Sequence, residues 1–184
     1  MMFSLILAII LAAGVFRIQA EDDTVKVFKG SCPDIVGDSL EGVEGRWFTV
    51  YSTDTNPQVI CSYGDIVNLG KDKVRISSVF RLNNGTSLRY TSSVGKEADG
   101  KYYYTLEDSA GQHGPTMMKV DGDFLLTWNC YDFGDGNHID VASVHSKNHQ
   151  TSEIVRKKLS NMIDEKGSHA GQLLEVSHEN CSPE

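Results

Sequence analysis

"GSCPDIVGDSLEGVEGRWFTVYSTD", residues 30–54, carries one cysteine, then an acidic linker, then Gly45-Arg46-Trp47 at the head of an apolar run. The segment 47–51, Trp-Phe-Thr-Val-Tyr, is built of aromatic and β-branched residues and is the first plausible strand. A glycine two positions before a large aromatic marks a point where the backbone needs freedom and an indole needs burial.

Working outward, the same strand character returns in short runs at 62–69, 73–80, 87–94, 101–107, 116–120, 124–131 and 139–145. Between them stand Asn83-Asn84-Gly85, Asp99-Gly100, Asp121-Gly122 and the cluster from Gly134 to Asn137, residue types that supply the positive φ of tight hairpins. Eight strands joined by short turns predict an antiparallel sandwich or barrel. In 73–80, Val74, Ile76, Ser78 and Phe80 share one face and Lys73, Arg75 and Ser77 the other, with Val79 the exception. One helix is expected over 151–166, where Ile154, Val155, Leu159, Met162 and Ile163 form a stripe, Thr151 or Ser152 caps the start, and Gly167 follows the end. That stripe is expected to pack on the sheet.

Residues 1–20 contain a long apolar run without a basic n-region, end in the small Ala20 and precede Glu-Asp-Asp, which reads as a cleaved signal peptide. The apolar stretch 3–16 is short of the roughly 20 residues a membrane helix needs. No further stretch of spanning length follows, so residues 21–184 are expected to form one secreted domain without stable membrane insertion. The formal net charge of -8 disfavours nucleic acid and anionic membrane surfaces.

Four cysteines, Cys32, Cys61, Cys130 and Cys181, favour two disulfides in an oxidising compartment, with three pairings open. None lies at C-x-x-C spacing, which argues against zinc. Of two glycan acceptors, Asn84 in a turn and Asn180 before Cys181, glycan is expected at Asn84 alone. The histidines His113, His138, His145, His149, His169 and His178 show no metal-ligand spacing; His145 and His149 are four apart but straddle the strand-to-helix junction. No G-x-S-x-G turn or phosphate-cradling loop occurs. Glu107, Asp108, Asp121, Asp123, Asp132 and Asp135 crowd loops, where a solvated rim explains them. Neither an enzyme, a metal nor a cofactor is indicated.

Taken together, Cys32-Pro33-Asp34 ahead of Gly45-Arg46-Trp47, Cys61 at the second strand, Trp128-Asn129-Cys130 in the seventh, a late helix and Cys181 resemble the lipocalins, and within them the arthropod bilin-binding and apolipoprotein D branch. The resemblance implies an all-β, eight-stranded antiparallel up-and-down barrel with one C-terminal helix outside, and the disulfides Cys32–Cys130 and Cys61–Cys181. It also implies that Gly45 lets the chain pass close to the barrel floor and that Trp47 plugs the closed end. Lys147, where the family has an arginine, would then cap the indole as a cation over the ring. The family's threonine-aspartate-tyrosine motif is lost, since Lys119-Val120-Asp121-Gly122-Asp123-Phe124 stands in its place.

Such a barrel encloses room for one small ligand, lined by every second residue. The expected lining is Tyr51, Tyr63, Ile76, Phe80, Tyr90, Tyr104, Met117 and Trp128, apolar with several phenols. That points to a carrier of one small hydrophobic molecule, such as a bilin or other pigment, a retinoid, a sterol or a fatty acid. Two other readings are a binder of a cationic amine at an acidic rim, and an inhibitor or other protein-interaction role on a lipocalin scaffold. Homodimerisation stays open.

Overall fold

The structure, a computed structural model, describes residues 27–37, 39–107, 113–166, 170–178 and 181. The expected signal peptide at 1–20, Asp108, Gly167, His169 and Asn180 lie outside them.

Hairpin turn chemistry sets up a meander of β2 (Gly45–Ser52), β3 (Val59–Gly70), β4 (Lys73–Leu82), β5 (Ser87–Lys96), β6 (Tyr102–Leu106), β7 (His113–Asp121), β8 (Phe124–Asp132) and β9 (Asn137–Ser146). Each pairs antiparallel with the next, and β9 returns to pair with β2, closing an eight-stranded barrel. Two very short strands are added to the barrel. They are β1 (Phe28–Lys29), which extends β9, and β10 (Leu174–Glu175), which lies on β2 opposite Tyr51 and Ser52. The ladder between β2 and β3 covers only Gly45 to Phe48. Beyond it β10 takes over as the neighbour of β2, continued by Val176 N–H donating to the Val50 carbonyl at 3.0 Å.

The helix α1 (Glu153–Glu165) starts at Ser152, whose hydroxyl accepts from Val155 N–H at 3.4 Å. Val155, Leu159 and Ile163 are buried against the barrel wall and Met162 packs beside them. Ile154, expected on the same stripe, is 81% exposed. At a rotation of 100° per residue it falls on the far side of Val155, so the stripe is narrower than the sequence suggested.

Both disulfides have the pairing that the resemblance implied: Cys32 with Cys130 and Cys61 with Cys181. The first fixes the incoming chain to β8, and the second fixes the C-terminal segment to β3. They join residues 98 and 120 positions apart. Loops of that length stabilise by at most about 5 kcal/mol each in the chain-entropy model.

The closed end of the barrel is a second core. Leu40 and Val43 pass under the strands and meet Trp47, Ile66, Val74, Val94, Tyr102, Met118 and Leu125. Trp47 is 1% exposed, its Nε1–H donates to the Val43 carbonyl at 2.7 Å, and Lys147 Nζ sits 4.8 Å from the ring centroid. The indole N–H therefore has its partner and the ring has its cation, as a plug requires. The role expected of Gly45 needs correction. A Cβ there would meet nothing within 4 Å, but its φ is +100°. Glycine is needed for the backbone turn into β2, not for a close approach.

Candidate functional site

A cavity of about 530 Å³ opens at the end of the barrel opposite Trp47. Its lining follows from strand alternation and falls into three levels. The floor is apolar, with Trp47, Ile66, Ile76, Val94, Met118 and Leu125. Above it lies a polar belt that includes Thr49, Ser62, Ser78, Thr127, Ser143 and His145. The upper wall is aromatic: Phe80 meets Tyr90 with ring centroids 5.9 Å apart, and Tyr104 meets Tyr131 edge-on at 5.7 Å. Asp54, Thr55, Asn56 and Pro57 form one lip and Leu174 to Ser177 the other.

Of the lining expected from sequence, Ile76, Phe80, Tyr90 and Tyr104 stand in the wall. Tyr63 borders the cavity, but its ring packs with Phe48, Cys61, Val79 and Cys181 and lies under the Arg46 guanidinium, 4.7 Å from its centre. This cluster also explains why Val79 breaks the polar alternation of β4. Tyr51, Met117 and Trp128 point the other way, into the core beneath α1. Their inward orientation is thus corrected.

In β2 the pairing with β9 slips between Thr49 and Tyr51, a bulge that turns Tyr51 outward. Its hydroxyl donates to Glu153 at 3.3 Å and Arg156 lies over its ring. In β8 the face under the helix, with Leu126, Trp128 and Cys130, is more apolar than the face toward the cavity, so choosing the larger apolar residues chooses the wrong side; in β7 two adjacent methionines leave the phase open, and Met118, not Met117, is the inward one. Trp128 donates its indole N–H to the Asp140 carboxylate in that outer layer. The inward residues of β8 are Leu125, Thr127, Asn129 and Tyr131.

His145 is the functional candidate that sequence reading missed. Its Nδ1 lies 3.1 Å from Thr49 Oγ1 and its Nε2 2.9 Å from Thr127 Oγ1, while Thr49 Oγ1 lies 3.1 Å from Ser62 Oγ. The ring is partly buried in the barrel and lines the cavity. Desolvation of the imidazolium lowers its pKa from 6.5 to about 4. The folded chain therefore resists a proton that the unfolded chain accepts between pH 6.5 and 4. This contribution to stability is complete above pH 6.5 and declines as the pH falls toward 4. Urea unfolding at pH 7 and pH 4.5 is expected to show a smaller acid loss for His145→Gln than for the wild type. Equal losses would place the proton elsewhere.

At the mouth, the open surface of Asp54 faces a crowded cleft, and the desolvation there raises its pKa. Burial likewise raises the Tyr90, Tyr104 and Tyr131 phenols, so all three stay protonated donors at neutral pH. Glu107, Asp121, Asp123, Asp132 and Asp135 do not line the cavity. Asp121 pairs with Lys158 at 2.7 Å, while Asp132 and Asp135 accept from Gly134 and Asn137 N–H in local turns.

His145 and His149 do not converge. His149 stacks on Phe48, with centroids 3.8 Å apart, and meets His178 edge-on at 4.9 Å. Ligand atoms of His149, His178 and Cys181 lie within 4.8 Å of one another, but the Cys181 sulfur is engaged in its disulfide. Two imidazoles are too few for a closed four-donor site. Among the described residues no helix is long and apolar enough to cross a membrane.

Comparison with known proteins agrees with this geometry. No curated protein sequence matches the chain. H1 crustacyanin from the lobster Homarus americanus superposes with a TM-score of 0.65 at 16% identity, over 90% of this chain and 96% of that one. Insecticyanin from the tobacco hornworm Manduca sexta gives 0.61 at 17%, over 84% and 90%. Aphrodisin, a sex pheromone from the female hamster, gives 0.59 at 15%, over 77% and 99%. At such identities the likeness establishes the barrel fold. The family model of the lipocalins and cytosolic fatty-acid binding proteins matches residues 44–180, which spans every barrel strand, and the chain belongs to that family.

Proposed function

We propose that this chain is a secreted carrier or sequestering protein that holds one small hydrophobic molecule in its barrel, without catalysis. The observation that carries the reading is the cavity of about 530 Å³, capped below by a sealed apolar floor. That volume lies within the range of small-molecule sites. Ile76, Phe80, Tyr90 and Tyr104 are the proposed walls, removing apolar ligand surface from water at about 25 cal/mol per Å². Residues 1–20 act as a signal peptide in this reading, and two disulfides suit the oxidising compartment it leads to. Asn84, exposed in the turn between β4 and β5, is the proposed glycan acceptor.

Titration with retinol, biliverdin and a fatty acid tests the proposal through tryptophan fluorescence. Trp47 lines the cavity and Trp128 does not. Quenching is expected to saturate with at least one of these ligands, persist in Trp128→Phe and vanish in Trp47→Phe. No saturable response to any of them would refute the carrier role.

A further inference from the structure

We infer that the cavity selects molecules whose polar end is uncharged, a hydroxyl or carbonyl on an otherwise apolar body, and turns away both carboxylates and ammonium groups. The inference rests on the carrier reading and narrows its ligand class. Three observations support it.

The first is the character of the belt. Ser62, Thr49, His145 and Thr127 form a continuous chain of hydrogen-bonding groups in the barrel interior, with successive spacings of 3.1, 3.1 and 2.9 Å. Every member is neutral at neutral pH, His145 included. Hydroxyls rotate and an imidazole has two tautomers, so the chain can present a donor or an acceptor to a guest at little cost. That suits a hydroxyl or a carbonyl equally.

The second is the absence of a positive charge. No lysine or arginine is among the described residues that line the cavity. Outside the described residues the only ones are Arg17 and Lys26, both ahead of the first strand. The guanidinium of Arg46, near the closed end, is taken by Asp65 through contacts of 2.8 and 2.7 Å. A carboxylate drawn down to the belt would lose its water and find no cation to replace it.

The third is the mouth, where Asp54 and Glu175 are the only carboxylates among the described residues that line it. They repel an incoming anion. An ammonium fares no better once inside, since both carboxylates stay at the lips and none reaches the belt.

Retinol, retinoic acid and retinylamine share one apolar body and differ at the polar end, so they isolate the effect. At pH 7.5, by tryptophan quenching, retinol is expected to bind at least tenfold more tightly than either charged analogue. A smaller preference, or an order led by the acid or the amine, overturns the inference and leaves the carrier role standing. No response to any of the three removes the carrier role and the inference with it. Ser78→Lys, which places an ammonium in the belt, is expected to improve retinoic acid relative to retinol by at least tenfold. With its fold checked by circular dichroism, an unchanged ratio would show that charge does not set the selectivity.

Discussion

Gly114→Ala is expected to lower stability by about 3 kcal/mol or more, a large loss for the addition of one methyl group. Gly114 lies in β7 next to β8, where a Cβ would stand 1.8 Å from the Cys130 carbonyl oxygen and 3.0 Å from its carbon. Both are backbone atoms of a strand held on its other side by β9 and tied by disulfide to Cys32. Neither neighbour can give way as a flexible side chain would, so the strands must separate. In a domain of this size about 3 kcal/mol corresponds to a fall in Tm of roughly 10 °C. Thermal unfolding of the oxidised protein by circular dichroism checks this. A change below about 1 kcal/mol would mean that β7 and β8 do not approach so closely.

Trp47→Ala is expected to cost about 3–5 kcal/mol, the usual range for truncating a fully buried tryptophan. It removes the central plate of the floor cluster, leaves the Val43 carbonyl without its donor and strips Lys147 of its ring. It also extends the cavity downward into the space the indole vacates, so ligand affinity is expected to drop with stability. Trp47→Phe separates the contributions. The ring stays and the N–H is lost, for a cost of about 1–3 kcal/mol from the unpaired carbonyl. Comparable losses for both variants would contradict a plugging role for the indole.

How much of this was legible in the sequence follows from what each signal measures. The hairpin turns and the Gly45-Arg46-Trp47 stretch located all eight barrel strands, because turn residues answer to local backbone geometry. The inner face was harder. Hydrophobic alternation assumes that the most apolar side of a strand is the inside, and here the helix covers part of the outside. Trp128 therefore faces α1, and Met117 lies there beside an inward Met118, while Thr127, Ser143 and His145 line the interior. Tyr51 was lost to a bulge, a register event that leaves no mark in composition. His145 was missed for the same reason as the belt: a polar residue turned into a cup looks in sequence like one turned to water. Ile154 shows the converse error, an apolar residue on the solvent side of a helix.

The most direct test of a hollow barrel that holds one oily guest is native mass spectrometry of the oxidised protein with excess retinol, beside Ser78→Trp, whose indole fills the cup. The expected spectrum shows one retinol per wild-type chain and none on the filled variant. A wild-type chain that carries no adduct, or a filled variant that carries as much as the wild type, would contradict binding in the cavity.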